Sequence, residues 1–125
     1  MVIGVVQFEL LLPQALSLKD KRRVVQSVKD RLHREHLAAV AEVGEQEMLN
    51  VAVLAVSVVS ADGKHVGKTL DAIDAKLRGL RDAEVGATSR RVIQERTMPP
   101  SRGLDGTEEA TLRQEMLSLM EEGNE

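Results

Sequence analysis

Apolar side chains run along residues 2–12 with a period of two. Val6, Phe8, Leu10 and Leu12 fall on one side; Ile3, Val5 and Leu11 fall on the other, beside Gln7 and Glu9. The alternation and the β-branched content predict a first strand, ended at Pro13, which has no N–H to donate to a ladder. The period then lengthens. Leu18, Val24, Val25, Val28 and Leu32 share one arc of a helix, with Lys19, Arg23, Gln26, Asp30 and Arg34 across from it. Ser17-Leu18-Lys19-Asp20 opens this helix as a capping box, the Ser17 hydroxyl meeting a free first-turn N–H and Asp20 reaching back. Lys21 falls inside the apolar arc, so its stem is expected to cover the core edge while its ammonium reaches solvent near the first turn.

Residues 38–43 predict a second strand and residues 50–60 a third, apolar on much of both faces, with a polar connection between them. Asp62 caps a second helix, in which Val66, Leu70, Ile73, Leu77 and Leu80 recur at steps of four and three. Residues 84–98 return to a strand pattern, carried by Val85, Val92 and Ile93. The order strand, helix, strand, strand, helix, strand predicts an α+β, ferredoxin-like split βαβ fold. Two helices would cover one face of a four-stranded antiparallel sheet and leave the other open. Pro99 and Pro100 then break the pattern. The expected division is a domain over 1–98, a linker over 99–106 and a tail over 107–125. In the tail, Leu112, Met116, Leu119 and Met120 predict a helix capped by Thr107, with Asp105 and Glu108 nearby.

Composition narrows the chemistry. The 125 residues include no cysteine, which excludes disulfides, thiolate metal sites and thiol nucleophiles. Phe8 is the one aromatic residue, so base stacking and aromatic pocket walls are poorly supplied. The first twelve residues lack a basic leader and a small-residue cleavage site, and the expectation is a cytoplasmic protein with no membrane span. Positions 1–104 hold 16 basic and 13 acidic residues, a net of +3, while positions 105–125 hold one basic and seven acidic, a net of −6. A mildly basic domain thus carries an acidic tail.

The cations concentrate at Lys19, Lys21, Arg22 and Arg23 on the first helix, joined by Lys29, Arg31 and Arg34. A second set comprises Arg90, Arg91, Arg96 and Arg102. Such patches suit RNA phosphate or another anionic surface, and they equally suit a solvated helix face laced with ion pairs. A positive cluster in a first helical turn opposes the macrodipole and calls for Asp20 or an external anion beside it.

The remaining candidates carry less chemistry. His33, His36 and His65 have no metal-ligand spacing and read as exposed titrating groups, the first two near a fraying helix end. Asp71 and Asp74, among Lys68, Lys76 and Arg78, read as surface ion pairs. The run from Gly63 to Thr69 ends in Gly-Lys-Thr but is one residue too short for a phosphate loop. No nucleophile is paired with a base and no cofactor motif is present, which points away from an enzyme.

Three segments carry a resemblance: Ser17-Leu18-Lys19-Asp20-Lys21-Arg22-Arg23-Val24-Val25; Val40-Ala41-Glu42-Val43 with Gln46; and Val56-Ser57-Val58-Val59-Ser60-Ala61-Asp62 with His65-Val66. Together they resemble the YlxP-like family, domain of unknown function 503, over residues 1–97. The resemblance implies a ferredoxin-like fold in a bacterial cytosolic protein, often encoded near ribosome maturation and translation initiation factors. It brings no activity, ligand set, cofactor or metal. The chain departs from the family in lacking the aromatic residue many relatives carry after Gln46, in the Gly86 interruption of the last strand, and in its tail.

Two expectations follow. One is a non-catalytic binding module of the translation machinery, its basic residues meeting ribosomal RNA or ribosome-associated proteins while the acidic tail competes for that surface. The other is a structural or regulatory protein that forms a homodimer through Ile3, Val5 and Leu11 on the open sheet face. In a simpler arrangement, Leu112, Met116 and Leu119 of the tail fold back over that face.

Overall fold

A computed structural model describes residues 1–101 and 106–123, with the side chains of 106–109 and 122–123 outside the described set. The elements are β1 (Val2–Leu11), α1 (Leu18–His36), β2 (Ala39–Gly44), β3 (Val51–Ser60), α2 (Gly63–Arg78), β4 (Glu84–Gln94) and α3 (Gly106–Gly123). The chain divides into two compact units, Met1–Glu95 and Arg96–Glu125. Arg102, Asp105 and the expected cap side chains Thr107 and Glu108 lie outside the described residues and side chains.

In the first unit the sheet order is β2-β3-β1-β4, and every neighbouring pair is antiparallel. This is the ferredoxin-like split βαβ arrangement. Val2, Gly4, Val6, Phe8 and Leu10 of β1 are buried, as are Ala52, Leu54, Val56 and Val58 of β3. Val25, Val28 and Leu32 of α1 join Val66, Leu70, Ile73 and Leu77 of α2 in the same core. Burying each larger side chain contributes about 2 kcal/mol before conformational entropy is set against it. Gly4 allows α2 to approach closely, because a Cβ there would stand 2.6 Å from Val66 Cγ1 and 2.9 Å from Leu70 Cδ1.

The other sheet face carries Ile3, Val5 and Leu11, all half-buried. They stand in register with Val59, Ser57 and Val51 of β3 and with Ile93, Arg91 and Glu84 of β4. The β1–β4 register shifts between Phe8 and Leu10, so Glu9 opposes both Gly86 and Ala87 in a bulge. Glu9 Oε1 accepts from the Ala87 N–H at 2.8 Å, and a Cβ on Gly86 would stand 2.8 Å from that same oxygen. Gly86 therefore makes room for the carboxylate that satisfies the bulge.

Some boundaries differ from expectation. β4 stops at Gln94 instead of running to residue 98, and the last rung beside it is the Met1–Glu95 backbone exchange at 2.8 Å. Leu18 is 36% exposed, so the apolar arc of α1 starts at Lys21. α2 ends at Arg78, where the Gly79 N–H donates to Lys76 O, and Leu80 packs from the following loop. In α3 Leu112 is buried, Met116 and Leu119 are half-buried, and Leu117 and Met120 are exposed.

Candidate anion-binding groove

The N-terminus of α1 is built by three residues of one motif. The Ser17 Oγ accepts from the Asp20 N–H at 3.1 Å, and Asp20 Oδ2 accepts from the Leu16 N–H at 3.2 Å. The reciprocal bond of this capping box thus lands one residue before the cap. Lys21 corrects the expectation most sharply. Its side chain is 3% exposed, and its ammonium turns inward to donate to the carbonyls of Glu45 at 2.6 Å and Met48 at 2.5 Å, with Gln46 O at 3.4 Å. The Glu42 carboxylate lies 3.6 Å away. The β2–β3 connection bends through Glu45 in the left-handed region (φ 58°), and the ammonium fills the space on which its carbonyls converge. With every donor engaged inside the fold, Lys21 is a structural cation and not part of an anion-binding surface.

Asn50 ties the same end of the sheet from the other side, its Nδ2 donating to Leu12 O at 2.9 Å while Leu12 N–H donates to Asn50 O at 2.8 Å. At its far end α1 closes on Leu37 in the left-handed conformation (φ 52°), and the His33 Nδ1–H donates to Ala38 O at 2.9 Å. His33 is therefore tied to the backbone and not on a fraying end. His36 Nε2 is buried without a partner among the described residues, whereas His65 is exposed.

Against this fixed helix lies a groove between α1 and the α2–β4 loop. Two adjoining hollows of about 440 and 370 Å³ share Val24, Ser27 and Asp82. Arg23 and Asp20 wall the first; Arg31 and Arg81 wall the second. A shallower surface continues along α1 past Arg31 to Arg34. Arg31, Arg34 and Arg81 have no ion-pair partner among the described residues, and Arg23 has only a 3.9 Å contact with Asp20 across an exposed surface. Such a contact holds the guanidinium weakly. Lys76 Nζ bonds Glu35 Oε2 at 2.6 Å, tying α2 to α1. That hydrogen bond and charge, aided by His36 and Arg31 and opposed by partial desolvation, hold the Glu35 carboxyl below its ordinary value.

The other basic residues do not form one patch. Lys19 and Arg22 are exposed on α1. Arg90 is in register with buried Val6 and Arg91 with Val5, so the two point to opposite faces of the sheet. Arg90 bonds Asp71 Oδ1 at 2.6 Å and Gly67 O at 3.2 Å, while Arg91 is exposed on the other face. Arg96, in the second unit, bonds Glu115 at 3.1 Å. The groove instead recruits Arg31 and Arg34, part of the first-helix set, and Arg81, which sequence reasoning passed over. Arg81 lies in a loop, and its approach to α1 emerges only from the folded topology.

The Gly-Lys-Thr run forms no phosphate loop: Gly63 begins α2, Asp62 Oδ1 caps the Lys64 N–H at 2.9 Å, and Gly67 and Thr69 are helical. Asp74 pairs with Arg78 at 3.0 Å and Asp71 with Arg90, so both aspartates belong to surface ion pairs. Among the described residues no group of three or more His, Asp or Glu could hold a metal ion, and no helix is long and apolar enough to cross a membrane.

Residues 3–90 match the family described as "Protein of unknown function (DUF503)". Among solved structures, a de novo designed protein with ferredoxin fold, LFR1 1, is similar at 17% identity and a TM-score of 0.47, covering 85% of this chain and 97% of its own. No curated protein matches the sequence.

Proposed function

Since the chain belongs to the DUF503 family, we propose from its geometry that it is a binding module for an anionic polymer, with RNA of the translation machinery as the partner, and that it carries out no reaction. The observation behind this reading is the groove beside α1, where Arg23, Arg31, Arg34 and Arg81 outnumber the aspartates Asp20, Asp30 and Asp82 on the same surface, and where, among the described residues, only Arg23 of the four makes an ion-pair contact, at 3.9 Å. Arginines held this way gain more from phosphate than they lose in side-chain ordering, because a fixed guanidinium fork matches phosphate oxygens in pairs. The link to translation comes from the family resemblance, which places relatives beside ribosome maturation factors.

The test is fluorescence anisotropy of the full chain with labelled ribosomal RNA fragments at low salt. Replacing Arg31 and Arg81 with glutamine should weaken binding about tenfold or more, as expected when two phosphate contacts are lost. Absence of binding by the unaltered chain at low salt would overturn the reading.

A second reading is self-association through Ile3, Val5 and Leu11, favoured by the aliphatic character of their face, where Val51, Val53 and Ile93 surround them. Sedimentation equilibrium distinguishes it: a monomer at micromolar concentration, an order of magnitude at which a weak interface still forms, rules it out.

A further inference from the structure

We infer that the groove's ligand is the phosphodiester backbone of a base-paired duplex, held across one of the duplex's own grooves, and not an unpaired strand. This rests on the anionic-polymer reading above and adds the form of the polymer.

Proteins that hold unpaired strands gain about 1–3 kcal/mol for each base stacked on an aromatic ring. This groove has no ring to offer: Phe8, the one Phe, Tyr or Trp of the chain, is 1% exposed, and the exposed imidazoles His33 and His65 do not line it. A duplex keeps its bases stacked on one another and presents phosphates alone, in two ridges bordering each groove.

The cations of α1 suit that lattice. Arg23 and Arg34 lie on one stripe of the helix, eleven residues and therefore about 16 Å apart. An RNA duplex is A-form, with a wide, shallow minor groove bordered by two phosphate ridges, and a helix laid across that groove brings its two arginines to the two ridges. Between them stand Ser27, Gln26 and Asp30, the aspartate accepting from Gln26 Nε2 at 2.8 Å. A carboxylate there would repel a strand whose phosphates ran along the stripe. Over the floor of a groove it meets no phosphate.

The spacing is also fixed before binding. The Ser17 cap and the buried Lys21 ammonium hold one end of α1, and Leu37 with the His33–Ala38 bond closes the other. A helix backbone fixed in this way favours an equally stiff partner, because neither backbone has ordering entropy to lose and the arginines lose only their rotamers.

The experiment titrates the full chain against three labelled oligonucleotides of equal length: an RNA duplex, a DNA duplex and an unpaired RNA strand, across a salt series. Binding to the RNA duplex about tenfold tighter than to the strand is expected, and tighter binding to the DNA duplex than to the RNA duplex overturns the RNA assignment. R23Q/R34Q should lower duplex affinity about tenfold and reduce the log–log salt slope by about 1.8, the value for two lost contacts to B-form DNA. R91Q, on the opposite sheet face, should leave both unchanged, and far-UV circular dichroism checks that each variant is folded. Equal or tighter binding to the unpaired strand overturns the duplex assignment while leaving the anionic-polymer reading intact. An R91Q loss as large as that of R23Q/R34Q overturns the α1 surface. Binding to none of the three at low salt overturns both inferences.

Discussion

Replacing Lys21 with methionine keeps the length of the stem and removes only the ammonium, so the loss isolates what the charge does. Three carbonyls, those of Glu45, Gln46 and Met48, lose their donor, and the Glu42 carboxylate loses the cation 3.6 Å from it. Glu45 O retains the Met48 N–H at 3.1 Å and is only partly deprived, whereas Met48 O and the buried Glu42 Oε2 have no other partner among the described residues. Hydrogen bonds to a charged group contribute about 1.5–3 kcal/mol each, and removing one partner of a buried ion pair costs about 3–5 kcal/mol. The Glu42 side chain is 22% exposed and can recover part of its hydration, which places the expected loss near the lower end, about 3 kcal/mol. Against the 5–15 kcal/mol typical of a small domain this is a large fraction. The chain has no tryptophan or tyrosine, so urea unfolding is best followed by far-UV circular dichroism. Lys19→Met, two residues away and exposed, serves as the comparison and should fall within about 0.5 kcal/mol of the unaltered chain. If Lys21→Met also fell within about 0.5 kcal/mol, the buried ammonium would not be what holds the β2–β3 connection.

Other expectations concern the core, the helix tie and the tail. Gly4→Ala should destabilise by about 1–3 kcal/mol in the same unfolding assay, because the new methyl meets Val66, whose branched side chain has few rotamers to retreat into. The folded Glu35 carboxyl is held below its ordinary value of 4.5, so the pair's stabilisation is present above that pH and lost as pH falls through the lower folded value. Glu35→Gln should therefore flatten the stability–pH curve in that acidic window and nowhere else, and an unchanged curve would refute the Lys76 tie. Deleting residues 105–125 removes a net charge of −6 and leaves +3, so RNA affinity should rise at low salt and converge with the full chain at high salt. Equal affinity throughout the salt series would show that the tail charge plays no part.

The fold was legible because each period change in the sequence coincides with a physical boundary. Alternation at Val6, Phe8 and Leu10 survives as the buried side of β1, and the steps from Val66 to Leu77 survive as the buried side of α2. Lys21 was placed correctly on the apolar arc but given the wrong direction. Snorkelling is the default for a lysine at a core edge, and the carbonyls that capture it come from residues 24 to 27 positions away in the chain. Nothing local announces such a convergence. The splitting of Arg90 from Arg91 was legible, since adjacent strand residues point to opposite faces. Grouping the two by proximity in sequence obscured it. Arg81 could not be placed without knowing that the α2–β4 loop returns beside α1.

The motif that carries the family resemblance therefore divides into two kinds of residue. Ser17, Asp20 and Lys21 cap the helix and join it to the β2–β3 connection, while Arg22 and Arg23 project outward from the helix thus secured. The first group gives the second its value. A guanidinium on a frayed first turn would lose the entropy of ordering the backbone each time it met a phosphate, whereas one on a turn already closed at Ser17 and Lys21 loses only its own rotamers. The two groups predict different failures. Lys21→Met should lower stability and weaken RNA binding together, and the binding loss should be largely recovered under conditions that restore the folded population. Arg23→Gln should weaken binding at unchanged stability, with a shallower salt dependence. If Lys21→Met reduced the salt slope as Arg23→Gln does, its ammonium would be meeting phosphate directly, and the burial of Lys21 would not describe the bound protein.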